Sequence, residues 1–315
     1  MKITVLDKIS LGMDTPVEKF LSLGDASFFD STAPNEIESR VSDVDVIITN
    51  KVKIGADVMD KAKKLKLICV FATGYDNIDV SAAKERGIAV CNVPGYSTGS
   101  VALFTVSTAL ALYSHLFEYR DYVNSGKYTS SSAPNCLVPV YHELEGKNWG
   151  IVGLGNIGMA VANIAKAFGA NVLAYTRTEK PGYNCVDIEE LCKNADIISL
   201  HCPLTDATRS LIDEKRLQLM KKDVILVNEA RGAVVDEAAV AKAILEGRIG
   251  GFGCDVYSKE PFPSDHPYNA IKDKPNVILT PHAAWGAYEA RARCVETIIK
   301  NICGFYNGEK INRIV

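Results

Sequence analysis

A chain of 315 residues that is 47% hydrophobic, 23% charged and 8% aromatic is built for about two folded domains, which excludes wholesale disorder, collagen-like repeats and a small disulfide scaffold. With 35 Lys and Arg against 38 Asp and Glu the formal charge is −3, and no basic block marks a nucleic-acid partner. The nine cysteines include no C-x-x-C pair, so neither a zinc ribbon nor any other metal site is expected, and unpaired thiols suit a reducing, cytoplasmic setting.

Residues 1–7 run into charge without the apolar core of a secretory leader. Strands are expected at residues 2–6, 44–49 (VDVIIT), 67–71 (LICVF) and 88–91, with a helix over residues 55–64. Strand, helix, strand in that order argues for a parallel α/β sheet. Residues 87–117 then carry no Asp, Glu, Lys or Arg. The stretch 97–117 is long enough to cross a bilayer. It holds Ser100, Thr105, Ser107, Thr108, Ser114 and His115, however, and follows Gly and Pro, so it reads as a buried helix with no membrane contact. Residues 116–145, rich in Ser, Pro and Tyr, read as an irregular arm.

A second α/β series begins near Gly146. Strands are expected at residues 149–153, 171–175, 197–200, 224–228, 250–254 and 277–280. Helices are expected at 156–168, 187–194, 214–219 and 237–246, with Gly169 closing the first of them as a C′ glycine. That is a doubly wound domain. A last helical stretch, 288–306, returns to the first domain if that domain is discontinuous.

Gly153-Leu154-Gly155-Asn156-Ile157-Gly158 is a G-x-G-x-x-G between a strand and an amphipathic helix. In that setting Gly153 allows the tight turn, Gly155 lets a pyrophosphate reach the backbone, and Gly158 lets helix and strand pack closely. The helix N-terminus offers unpaired N–H groups to the phosphates. About 20 residues on, an acidic residue would hold the adenosine ribose. Here the strand ends Tyr175-Thr176-Arg177-Thr178. Arg177 suits a 2′-phosphate, whereas a Thr176 hydroxyl suits the unphosphorylated ribose, so NAD and NADP both stay open.

Polar residues then gather at strand ends: Arg231 in NEARG, Glu260 in DVYSKEP and His282 in PHAAW. Ligands of open α/β sheets bind outside the carboxyl ends of strands, so these three loops form a plausible reaction centre.

With TGYDNID (residues 73–79), NVPG (92–95), GLGNIG, HCPLT (201–205), NEARG, DVYSKEP and PHAAW in this order, the chain resembles the D-isomer-specific 2-hydroxyacid dehydrogenases, and their glycerate dehydrogenase/hydroxypyruvate reductase branch in particular. The resemblance implies a Rossmann-type cofactor domain (98–286) and a flavodoxin-like substrate domain (1–97 and 287–315), both doubly wound parallel sheets, with a closing cleft between them. It implies an NAD(P)-dependent oxidoreductase that interconverts small 2-oxoacids and D-2-hydroxyacids. His282 would be the acid/base, Glu260 would hydrogen-bond its other nitrogen and favour the imidazolium, and Arg231 would hold the substrate carboxylate. Backbone donors of Thr73, Gly74 and Tyr75 would assist Arg231 and His282 in binding substrate, with Trp285 beside them. Besides the glycine loop, Thr176 and Arg177, cofactor contacts would come from Cys202, Pro203 as an apolar wall, Thr208, Ala230, His282 and Asp255. Asp255 would contact the nicotinamide carboxamide, or else cap a turn. His201 reads as structural. A homodimer paired through the cofactor domain and the arm is also implied.

The family commonly has Glu or Gln, then often His, where this chain has Leu103-Phe104; the consequence is either a changed substrate preference or a repacked helix, and repacking is the one expected. Glu229 replaces a small or hydroxyl residue, and is expected to add negative charge near the cofactor, against the 2′-phosphate reading of Arg177. Two other readings are weighed: a D-3-phosphoglycerate dehydrogenase, and an NAD(H)-responsive corepressor-like protein that binds peptides.

Overall fold

The computed structural model describes residues Met1–Val315, which divide into two compact units, Met1–Ser97 with Gly286–Val315, and Thr98–Trp285.

The first unit holds β1 (Lys2–Val5), β2 (Asp25–Phe28), α1 (Ile37–Val41), β3 (Val46–Thr49), α2 (Ala56–Lys61), β4 (Leu67–Val70), α3 (Val80–Glu85) and β5 (Ala89–Cys91). Its sheet is parallel throughout, in the order β2-β1-β3-β4-β5, the flavodoxin-like winding. Strands β3 and β4 are buried along their whole length, because helices cover both faces of such a sheet. Sequence pattern misses β2, since DASF is a half-exposed edge strand with no apolar run. It also misses α3, which Asp79 starts by accepting a hydrogen bond from the Ala82 N–H. The C-terminal helix Tyr288–Tyr306 packs on this unit, with Arg291 bridging to Asp14 and Asn301 donating to the Asn92 carbonyl. The last residues then run beside β5, where the Ile314 N–H donates to the Val90 carbonyl at 2.7 Å.

The second unit runs α4 (Thr98–Tyr113), α5 (Leu116–Asn124), β6 (Asn148–Val152), α6 (Asn156–Ala167), β7 (Asn171–Tyr175), β8 (Asn184–Cys185), α7 (Ile188–Asn194), β9 (Ile197–Leu200), α8 (Glu214–Leu219), β10 (Ile225–Asn228), α9 (Glu237–Leu245), β11 (Gly251–Cys254) and β12 (Val277–Leu279). Its parallel sheet has the order β12-β11-β10-β9-β6-β7-β8, so winding reverses between β6 and β9, where such sheets bind ligands. One core lies between the sheet and α4 with α6, around Trp149, Ile151 and Val227. The other lies under α7, α8 and α9, around Leu200, Leu226 and Phe252. The N-cap aspartates Asp187, Asp213 and Asp236 each accept backbone N–H bonds, and Gly169 takes φ +80° after α6.

Three expectations are corrected here. The apolar stretch 97–117 is not one helix, because α4 ends at Tyr113 and the chain bends by 61° into α5 through His115 at φ +53°. No single helix is long and apolar enough to cross a membrane. The arm is helical in its first part, since α5 occupies Leu116–Asn124. Leu103 is not repacked but 66% exposed on α4, while Phe104 is half-buried.

Candidate active site

Arg231, Glu260 and His282 follow β10, β11 and β12, three neighbouring strands whose carboxyl ends open on one edge of the sheet. Pairing of Asn228 with Cys254 and of Cys254 with Leu279 brings the three loops out side by side. Gly232 makes the first approach possible, since a Cβ there would stand 2.0 Å from the Tyr257 carbonyl carbon and 2.1 Å from the Ser258 nitrogen. Only glycine lets the Arg231 turn lie against the loop that carries Glu260.

Nδ1 of His282 lies 2.6 Å from Glu260 Oε2, and Glu260 Oε1 accepts the Tyr257 N–H at 3.0 Å. His282 sits at φ +55°, in the left-handed region that a side chain other than glycine rarely adopts. Neighbouring groups hold it there. The Asp255 carboxylate accepts the Thr280 hydroxyl at 2.6 Å and the N–H groups of Ala283 and Ala284, each at 2.8 Å. The Tyr257 hydroxyl donates to the Thr280 carbonyl at 2.8 Å, and the Ser100 hydroxyl to the Ala284 carbonyl at 2.6 Å. Asp255 thus employs both its oxygens in the His282 loop, the turn-capping alternative. Ser100 escapes sequence reasoning as a positioning group; its one signal is a hydroxyl at the start of an uncharged helix.

The expected charge of Glu229 is overturned. It is only 8% exposed, and neither carboxyl oxygen has a hydrogen-bond partner. Burial, reinforced by the neighbouring Asp255, pushes its carboxyl up to about 9, so at neutral pH it is an uncharged acid. Glu229 therefore neither repels an anion nor argues against Arg177.

His201 is structural: burial pushes its imidazole down to about 3, and Nε2 pairs with Ser199 Oγ at 3.0 Å. The same hydroxyl oxygen accepts Trp149 Nε1–H at 3.0 Å. Burial also pushes the Cys202 thiol up to about 11. Thr208 Oγ1 donates to the Pro203 carbonyl at 2.6 Å and accepts the Thr205 N–H at 2.8 Å, so its hydroxyl shapes the HCPLT loop. Ala230 is buried, Arg177 is exposed, and Thr176 Oγ1 donates to the Thr178 carbonyl. Trp285 is half-buried after the His282 loop. Thr73, Gly74 and Tyr75 stand on the other sheet, beyond β4, where the Thr73 hydroxyl donates to the Val93 carbonyl at 2.9 Å.

Residues 106–284 match the model of the D-isomer-specific 2-hydroxyacid dehydrogenase NAD-binding domain. The chain belongs to the D-isomer-specific 2-hydroxyacid dehydrogenase family. It is 36% identical over 323 residues to a hydroxypyruvate reductase of Blautia hydrogenotrophica, covering 99% of each chain. It is 41% identical over 278 residues to a glyoxylate reductase of Thermococcus litoralis, covering 86% of this chain and 83% of that one. Among solved structures it is similar to the D-lactate dehydrogenase of Aquifex aeolicus complexed with NAD and lactic acid, at 29% identity and a TM-score of 0.86, covering 98% of this chain and 96% of that one.

The dehydrogenase's glycine loop fits the NAD that its family binds. Gly153 adopts φ +98° with its position packed on the Cys202 backbone, and a Cβ on Gly158 would stand 2.1 Å from the Gly153 carbonyl oxygen. These two glycines fold the loop. Gly155 differs, because a Cβ there would meet nothing within 4 Å. No side chain caps α6 and no acidic residue enters its first turn, which leaves that N-terminus, at Asn156 and Ile157, suited to a phosphate.

Proposed function

We propose that this enzyme reduces small 2-oxoacids of the hydroxypyruvate and glyoxylate kind to D-2-hydroxyacids, and catalyses the reverse oxidation. The substrate class is supported by what its relatives are named for. The observation that carries the chemistry is the 2.6 Å contact of His282 Nδ1 with Glu260.

The nicotinamide, when bound, supplies or accepts the hydride. In the reducing direction His282 protonates the carbonyl oxygen through Nε2, and it takes the proton back in oxidation. Glu260 binds Nδ1 of His282 and so fixes which nitrogen faces substrate. Arg231 holds the substrate carboxylate with its planar fork and polarises the carbonyl. Thr73, Gly74 and Tyr75 are proposed as further donors to that carboxylate, and Trp285 as a limit on the substituent. Gly153, Gly155, Asn156, Ile157, Gly158, Thr176, Arg177, Cys202, Pro203, Thr208 and Ala230 are proposed to line the cofactor, Cys202 and Thr208 by shaping its loop. Asp255 is proposed to act on the cofactor side by bracing His282.

Exposed apolar side chains along residues 116–145, among them Leu116, Val123, Leu137, Val138 and Val140, support a homodimer formed through this unit. Sedimentation as a monomer at micromolar concentration would contradict it. Nine free cysteines suit a cytoplasmic, reducing setting.

The test is oxidation of NADH and NADPH, followed at the nicotinamide absorbance, with a panel of 2-oxoacids and chiral analysis of the product. A folded sample that binds cofactor yet turns over no 2-oxoacid would refute the proposal.

A further inference from the structure

The loop carrying Glu260 is closed at both ends by one carboxylate. Glu237 is the first residue of α9. Its Oε1 accepts the Ser258 N–H at 2.8 Å, while Oε2 accepts the Ser258 hydroxyl and, at 3.1 Å, the Nε2–H of His266. The direction of the last bond is fixed by the other side of the ring. Nδ1 of His266 accepts the Tyr268 N–H at 3.2 Å, so its proton sits on Nε2 and points at Glu237. His266 is buried and Glu237 half-buried, with side-chain exposures of 5% and 11%. The Tyr257 ring packs edge-on against those of Phe262, His266 and Tyr268, with centroids 4.7–6.1 Å apart.

Ser258 and His266 therefore bracket Glu260, and one carboxylate binds both. Inside that bracket Glu260 takes the Tyr257 N–H on one oxygen and His282 on the other. Charge-assisted contacts of this kind lose strength within fractions of an ångström, so they depend on the rigidity of the loop that presents them.

We infer that Glu237 is a positioning residue for the reaction: by tying Ser258 to His266 it holds Glu260 at bonding distance from His282. The inference rests on the acid/base reading of His282 and Glu260 given above. Groups that bear on His282 or its loop are Glu260 on Nδ1, Asp255 on the Ala283 and Ala284 N–H groups, and Tyr257 on the Thr280 carbonyl. A Glu237 substitution removes none of them. It lets Glu260 drift, so the imidazole loses the partner that orients it.

The experiment is kcat and KM for hydroxypyruvate reduction by NADH, in wild type, Glu237→Ala, Glu237→Gln, Glu260→Gln and the Glu237→Ala/Glu260→Gln double variant. Glu237→Ala should lower kcat about tenfold. NADH affinity, read by fluorescence, should stay within about twofold of wild type, since the glycine loop is untouched. Glu237→Gln keeps the acceptor for the Ser258 N–H but sets an N–H against the His266 proton, so its kcat should fall between wild type and Glu237→Ala. The double variant should lose no more than Glu260→Gln alone, because the two residues act through one contact. A merely structural role would multiply the two losses in the double variant. If Glu260→Gln lowers kcat and a folded Glu237→Ala does not, the inference is overturned. If Glu260→Gln also leaves kcat in place, the acid/base reading falls and takes the inference with it. Should Glu237→Ala fail to fold, Ser258→Ala removes only the hydroxyl link and should lower kcat in the same direction; an unchanged kcat would overturn the inference.

Discussion

Glu229 and Asp255 follow Asn228 and Cys254, which are paired on adjacent strands, and their two carboxyl groups are used in opposite ways. Asp255 accepts three hydrogen bonds from the His282 loop, whereas Glu229 accepts none and is buried. A second negative charge beside the first is what the fold excludes.

The consequence is a pH-dependent stability with a definite sign. Burial and Asp255 raise the Glu229 carboxyl from 4.5 to about 9, so between those values the folded chain keeps a proton that the unfolded chain has lost. Its contribution to stability is therefore fully present below the lower value and is lost as pH rises to the upper one, by at most about 1.4 kcal/mol per pH unit. Glu229→Gln removes this dependence while keeping the shape. Its melting temperature relative to wild type should rise between pH 5 and 9, with the two nearest each other in acid. Thermal melts across that range check it, and a constant difference would show that the carboxyl titrates normally.

Arg177 decides how the enzyme treats the adenosine end of its cofactor. It is exposed at the end of β7, where an acidic residue would repel a 2′-phosphate. Arg177→Ala should lower kcat/KM with NADPH by about tenfold, the worth of one charge-assisted contact, and leave NADH within about twofold. Equal losses with both cofactors would place the guanidinium elsewhere, on the adenine or on protein.

The doubly wound sheet of the second unit and the order of the catalytic loops were legible in the sequence because each rests on local chemistry: β-branched runs and a glycine loop between strand and helix; the winding of the first unit followed from the family resemblance. Tyr288–Tyr306 carries a strong helical pattern and coincides with the expected span. What escaped depends on partners remote in sequence. The edge strand β2 is specified by pairing with β1 rather than by its own residues. The break at His115 lies in a φ angle, not in composition. The Glu229 charge was misjudged because ionisation follows burial and the nearby charge of Asp255, and both are set by the fold rather than by local sequence. Glu237 carries no sequence signal of its own, because Ser258 and His266, which it binds, lie on a loop more than 20 residues away.

Asp255 was expected at the nicotinamide, and its hydrogen bonds give it the task of holding His282 in the left-handed conformation. Asp255→Asn retains one acceptor and turns an amide N–H toward a backbone N–H. An unsatisfied buried donor of this kind costs roughly 1–3 kcal/mol. The melting temperature should therefore fall, and kcat should drop by about tenfold or more as His282 loses its orientation. Affinities for NADH and for ADP-ribose, which lacks the nicotinamide, should change together and by no more than about twofold. Weakened NADH binding beside unchanged ADP-ribose binding would instead establish a direct contact with the nicotinamide.

The three glycines of the loop should separate folding from cofactor binding. Gly158→Ala puts a methyl group 2.1 Å from the Gly153 carbonyl oxygen, a contact that neither backbone can relieve, so the protein should melt earlier and lose cofactor affinity together. Gly155→Ala meets nothing within 4 Å, and Gly155 sits at φ −81°, where alanine is unstrained. Its melting temperature should match wild type. Its affinity for NADH should nevertheless fall about tenfold or more, because the added methyl occupies the space through which a pyrophosphate reaches the N-terminus of α6. ADP-ribose, which keeps the pyrophosphate, should lose affinity to the same extent. A Gly155→Ala protein that binds both ligands like wild type would mean that the phosphates lie away from this backbone.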